Sequence, residues 1–140
     1  MGLSYAAALF DLFGTLVDGR GNACEGAGEL LARIAPLPWA IVTSCPRELA
    51  VSLLQRGRLP VPRVLVSADD VNTPKPSPEG YLHAAEMLGV LAHECVVFED
   101  SSSGMSAARA AGMRAVCVLT GWARVEVSLE NGRVAVRELP

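Results

Sequence analysis

The sequence predicts an α/β protein: a mostly parallel sheet covered by helices on both faces, hence a three-layer α/β/α sandwich. Two observations carry this reading. Short, almost wholly apolar runs recur at residues 5–10, 39–42, 64–66, 95–98 and 115–119, as strands buried on both faces require. Between them lie stretches with helical spacing of apolar residues, closed by Gly or Pro. A third observation sets the tail apart, where two alternating runs flank Asn131-Gly132, the pattern of a β-hairpin.

Taken in order, residues 5–10 form the first strand, which stops at Asp11 before Gly14-Thr15 turns the chain. Residues 19–23 are a loop by composition, and residues 25–34 a short amphipathic helix with Leu30, Leu31 and Ile34 on one face. Pro36 and Pro38 end it. The second strand, 39–42, closes on Thr43-Ser44; Pro46 opens a helix that runs to about Arg56 before Gly57. The third strand, 64–66, leads into a proline-rich loop, Thr73-Pro74-Lys75-Pro76-Ser77-Pro78, and then a helix over 79–88 stopped by Gly89. The fourth strand ends in Glu99-Asp100. An alanine-rich helix over 104–111 and a fifth strand over 115–119 follow. The hairpin is expected as an antiparallel addition at the sheet edge.

Composition narrows the function classes. The 140 residues suit one domain spanning 1–140, and 51% of them are hydrophobic, enough for a packed core. A net charge of −3 and no Lys/Arg stripe argue against nucleic acid as a partner. The apolar runs are strand-sized, so no membrane span is expected, and the start lacks the pattern of a secretory signal. Met1-Gly2 suits myristoylation, but Ala6 stands where Ser or Thr is needed. Cys24, Cys45, Cys95 and Cys117 have no metal-ligand spacing and point to a reducing, cytoplasmic setting. Cys95 and Cys117 are expected to be buried and inert, Cys45 to be reachable.

Chemistry gathers at the strand ends. Asp11, Thr43, Ser44, Lys75, Glu99 and Asp100 all fall where the carboxyl edge of a parallel sheet forms a crevice. Carboxylates brought together repel unless a cation sits between them, and oxygen ligands suit Mg²⁺. Hydroxyls, backbone N–H groups and a lysine suit phosphate oxygens. Each residue also has an ordinary role: Asp11 as a turn former, Thr43 as a strand-end cap, Lys75 as a solvated charge, Glu99-Asp100 as a helix cap. Arg47 reads as a solvated helix-start charge and His83 and His93 as too distant for catalysis.

The ordered set resembles the haloacid-dehalogenase superfamily, closest to its sugar-phosphate and glycerol-phosphate phosphatases. Asp11-Leu12-Phe13-Gly14-Thr15-Leu16-Val17-Asp18 matches the first motif of that family and Ile41-Val42-Thr43-Ser44 the second. Lys75-Pro76 matches the third and Val97-Phe98-Glu99-Asp100-Ser101, with Gly104, the fourth. The resemblance implies a Rossmann-like core and an Mg²⁺-dependent phosphohydrolase that works through an aspartyl-phosphate. It implies that Asp11 is nucleophile and metal ligand, and that the Phe13 backbone carbonyl and Asp100 are further ligands, with Glu99 reaching the ion through water. Thr43 and Ser44 would hold phosphate, and Lys75 would neutralise it and orient Asp11.

Two departures qualify the match. Phosphatases of the superfamily carry a second Asp two residues after the nucleophile as general acid and base, and here that position is Phe13. Losing such a group commonly costs ~10²–10⁴ in rate. An aromatic there fits the dehalogenases, but those lack the acidic pair that Glu99-Asp100 retain. The related sugar phosphatases also insert a helical cap between the first two motifs, whereas only residues 19–42 separate Asp18 from Thr43. The expectation is therefore a capless core of low activity on a phosphate monoester. The alternatives are an impaired Mg²⁺- and phosphate-binding relative and, more weakly, a haloacid dehalogenase. The resemblance implies a small sugar- or polyol-phosphate, while an open site suits a larger phosphorylated substrate, coverage by a partner subunit such as a second copy, or inefficient turnover.

Overall fold

Residues 3–140 are described by a computed structural model; Met1-Gly2, and with them the start of the myristoylation pattern, lie outside the described residues. The elements run β1 Leu3–Tyr5, β2 Ala7–Phe10, α1 Ala27–Ile34, β3 Trp39–Val42, α2 Arg47–Arg56, β4 Val64–Val66, α3 Glu79–Leu88, β5 Cys95–Glu99, α4 Ser102–Ala110, β6 Arg114–Cys117, β7 Val125–Glu130 and β8 Arg133–Glu138. Strands β4-β3-β2-β5-β6 form one sheet in that order, with every neighbouring pair parallel.

The two faces follow from the period-2 alternation of strand side chains. Ala8 and Phe10 of β2, Ile41 of β3, Leu65 of β4 and Val96 and Phe98 of β5 point to the side packed by Leu30, Leu31 and Ile34 of α1 and Leu53 and Leu54 of α2. Ala7, Leu9, Ala40, Val42, Val64, Val66, Cys95 and Val97 face the other side, against Tyr81 and Ala84 of α3 and Ala107 and Ala108 of α4. The small residues of α4 let that helix lie close to the sheet. On the first face Phe10 and Phe98 stack at 5.2 Å, with Trp39 edge-on to Phe10.

Three expectations need correction. The run 5–10 is not one strand: the chain breaks at Ala6, whose N–H bonds Glu94 O at 2.8 Å. Leu3–Tyr5 pairs antiparallel with β8 while Ala7–Phe10 enters the parallel sheet. The hairpin forms, but it builds a separate three-stranded sheet, β1-β8-β7, instead of extending the parallel one. Its Val127, Val134 and Val136 join the core on the α1 side. Cys117 is exposed, because it ends β6 on an edge strand; Cys95 is buried, and burial raises its thiol to about 11.

The strand order places the site. From β2 the chain steps outward through α1 to β3 and through α2 to β4, then crosses to the opposite side of β2 for β5 and β6. The carboxyl end of β2 is therefore the point where the order reverses, and ligand crevices open there. Asp11 is the next residue.

Candidate active site

Asp11 is held at the tip of β2 by its N–H, which bonds Phe98 O at 3.1 Å, and it is only 9% exposed. Lys75 comes from the loop before α3, and its Nζ donates to three oxygens: Asp11 Oδ1 at 2.9 Å, Val42 O at 3.0 Å and Glu99 Oε2 at 2.6 Å. All donors of the ammonium are thereby used, which fixes its position. Glu99 is fully buried and also engaged on both oxygens. The Tyr81 hydroxyl donates to Oε2, and Ser101 Oγ donates to Oε1 at 3.3 Å.

Two glycines make room for this acidic group. A Cβ on Gly104 would lie 2.0 Å from Glu99 Cδ, and one on Gly14 would lie 2.0 Å from Asp100 Oδ2. Gly14 also has φ +79°, which disfavours any side chain. Asp100 accepts from Thr15 Oγ1 at 3.2 Å, and Thr15 is itself tied down by Trp122, whose indole N–H donates to its carbonyl at 2.9 Å.

Oxygens of Asp11, Glu99 and Asp100 lie within 4.8 Å of one another. Three carboxylates against one ammonium leave an excess of negative charge, and the structure registers it. Burial pushes the Asp11 carboxyl up to about 7; Lys75 opposes this, while Glu99 and a hydrogen bond with Asp100 add to it. Burial likewise holds the Tyr81 phenol well above its usual range, reinforced by Glu99, so Tyr81 remains a donor. An all-oxygen set with surplus charge fits a hard divalent cation such as Mg²⁺.

A cleft of about 230 Å³ opens over this group, lined by Asp11, Phe13, Thr43, Ser44, Lys75 and Asp100, with Cys45, Ser101 and Ser103 at its edge. Thr43 directly follows β3 and is almost buried; its Oγ1 accepts from the Cys45 N–H and donates to Cys45 Sγ, both at 3.3 Å. Ser44 beside it is exposed. A larger hollow of about 590 Å³ lies past Gly14, between the start of α1 and residues 118–123, but Asp11, Lys75 and Asp100 do not line it.

Every residue expected at the site thus reaches one cleft or the acidic group beneath it. The ordinary reading holds for others. Arg47 is an exposed helix-start charge, tied to Asp70 at 2.8 Å and to Leu65 O, and Asp18 accepts from the N–H groups of Arg20 and Asn22 at 2.8 and 3.0 Å. That loop returns the chain from Val17 to Ala23, which bridge each other, so no cap leaves the core here. Sequence reasoning missed Tyr81, Thr15 and Trp122. A tyrosine on the buried face of α3 needs a partner for its hydroxyl, and that was the available signal.

With this geometry in place the family is clear: a model of haloacid dehalogenase-like hydrolases matches residues 20–112, and the chain belongs to that family. The matched stretch holds Thr43, Lys75, Glu99 and Asp100, while Asp11 precedes it. Hexitol phosphatase A of Escherichia coli (strain K12) is 41% identical over 99 residues, covering 69% of this chain and 46% of its own length. A haloacid dehalogenase-family hydrolase from Deinococcus radiodurans R1, solved with bound phosphate and sodium, is 35% identical with a TM-score of 0.63, covering 67% of this chain and 43% of that one. CbbY from Rhodobacter sphaeroides, solved with xylulose-(1,5)bisphosphate, has a TM-score of 0.74 at 19% identity, over 81% of this chain and 85% of that one, a likeness of fold. The chain spans about half the length of the curated relatives it matches.

Proposed function

We propose that this chain is an Mg²⁺-dependent phosphatase of low turnover, acting on a small sugar- or polyol-phosphate through a phosphoryl group carried on Asp11. The observation that carries the reading is the buried Lys75 bridging Asp11 and Glu99 at the floor of a cleft beside Thr43. The named activity of the hexitol phosphatase relative supports it. So does phosphate bound in the Deinococcus radiodurans relative.

Asp11, Asp100 and the Phe13 backbone carbonyl would hold the cation, with Glu99 near enough to reach it through water. When bound, the ion would neutralise the phosphate and the surplus carboxylate charge. Thr43 Oγ1 and Ser44 would receive phosphate oxygens. Lys75 aims Asp11 and supplies positive charge to the transferring group, which suits a reaction that needs placement and charge more than covalent help. An Asp11 oxygen attacks phosphorus, the bond to the leaving oxygen breaks, and water later releases inorganic phosphate and restores the carboxylate. Residues 1–140 act as one domain in the cytoplasm.

Phe13 lines the cleft and is 37% exposed, offering no proton. Among the described residues none forms a cap over it, so the cleft is open to water, which weakens every electrostatic contact inside. Both features set turnover low. A panel of phosphate esters at high enzyme concentration tests the reading: Mg²⁺-dependent phosphate release that disappears in Asp11→Asn is expected. Release that persists without a divalent cation, or in Asp11→Asn, would defeat it.

A further inference from the structure

Among the described residues, no side chain at this cleft is placed for proton transfer. Asp11 is the attacking group in the phosphatase reading, on which this inference rests. Lys75 spends its donors on Asp11, Val42 O and Glu99, and it is nearly buried. Glu99 is sealed beneath the cleft by Lys75, Tyr81 and Ser101. Asp100 accepts from Thr15 and belongs to the cation group, the Cys45 sulfur accepts from Thr43 Oγ1, and Ser44, Ser101 and Ser103 offer only hydroxyls. Among the described residues no histidine lines the cleft: His93 is exposed on a turn before β5 and His83 lies on α3. At the mouth stands the hydrocarbon ring of Phe13.

This sorts substrates by their leaving oxygen. When Asp11 bonds to phosphorus, the electron pair of the breaking P–O bond stays on that oxygen. An alcohol leaves as an alkoxide unless it is protonated in the act. A carboxylate, with a pKa of about 4, leaves as a stable anion. The second half-reaction meets the same lack, because the water that attacks phosphoryl-Asp11 must give up a proton and no base receives it. Each missing transfer withholds ~10²–10⁴ in rate.

We propose that this site takes its phosphoryl group from acyl phosphates and similarly activated donors, and that phosphoryl-Asp11 accumulates because its hydrolysis is the slow step. The chain then works as a slowly reset phosphoryl acceptor, and simple sugar phosphates turn over poorly by comparison.

The test treats the whole chain, with Mg²⁺, with acetyl phosphate, p-nitrophenyl phosphate or glycerol 1-phosphate. Intact-mass and peptide-mapping spectrometry follow the protein while phosphate release is timed. The expected result is a mass gain of one phosphoryl group on Asp11 from acetyl phosphate, outlasting removal of the donor. A burst of p-nitrophenol should precede a slower steady rate, and glycerol 1-phosphate should load Asp11 at least ~10²-fold more slowly. Phe13→Asp should speed glycerol phosphate cleavage and erase the accumulation. Phe13→Asn, nearly the shape of Asp but without an ionisable proton, should do neither. Phosphate release without accumulation, equal loading by the alkyl and acyl donors, or equal effects of the Asp and Asn variants would overturn the inference and leave the phosphatase reading standing. Failure of every donor to load Asp11 or release phosphate would sink both.

Discussion

Asp11→Asn should make the cation-free protein more stable at pH 8, while removing the group the proposed chemistry needs. The magnitude follows from the burial of Asp11 beside Glu99 and Asp100, which raises its carboxyl from 3.8 to about 7 against the pull of Lys75. Between those values the folded chain keeps a proton that the unfolded chain has released, so stability falls as pH rises through that window. The penalty is absent below about pH 4, where both states are protonated, and complete above about pH 7. About three pKa units at 1.36 kcal/mol each give roughly 4 kcal/mol. Asn carries no charge, and its oxygen can still accept from Lys75, which also keeps Glu99 and the Val42 carbonyl. Urea unfolding in chelator at pH 5 and pH 8 is the assay. The variant's advantage should widen from about 2 to about 4 kcal/mol over that range, or on the order of 10 °C in melting temperature at pH 8. A variant less stable than wild type at pH 8, or a gap that does not change with pH, would refute the reasoning.

Three further outcomes follow from the same group. Lys75→Met strands two buried carboxylates and should cost ~3–5 kcal/mol at pH 8, less at pH 5 where Asp11 takes up a proton, again read by urea unfolding. Gly104→Ala places a methyl 2.0 Å from Glu99 Cδ, so the carboxylate must leave Lys75 and Tyr81. The expected loss is ~1–3 kcal/mol, with reduced phosphate release in a protein whose circular dichroism is unchanged. Mg²⁺ at a hundred times its dissociation constant should stabilise wild type by about 2.7 kcal/mol and Asp11→Asn by much less, measured by thermal melts across a cation titration.

The parts of the fold legible in the sequence are those governed by local pattern. Trp39–Val42, Val64–Val66 and Glu79–Leu88 are bounded where their apolar runs and their Pro and Gly neighbours set them. What escaped is tertiary in origin. The break at Ala6 leaves no mark in an unbroken apolar run, because it reflects a change of partner from β8 to β3 and β5. Alternation shows that the Asn131-Gly132 hairpin exists but not which edge receives it, and the receiving edge is Leu3–Tyr5. Helix α4 begins at Ser102 because Ser101 caps it by accepting from the Gly104 N–H at 3.1 Å, while glycine at position 104 masks that start in sequence.

The site was legible as a set of residues and not as a network. Strand-end position and residue type picked out Asp11, Thr43, Lys75, Glu99 and Asp100. Nothing in sequence spacing could show that Glu99 lies wholly beneath the cleft as an anchor for Lys75, or that Trp122 steadies the loop carrying Thr15. Those contacts join residues far apart in the chain and depend on which strands become neighbours.

In the proposed function Asp11, with a divalent cation held beside it by Asp100, receives a phosphoryl group. Beryllium fluoride mimics such a group on a carboxylate, and fluorine NMR reports its capture directly. Bound fluoride resonances are expected from wild type only when Mg²⁺ is present, and none from Asp11→Asn. Bound resonances without Mg²⁺, or undiminished in Asp11→Asn, would contradict it.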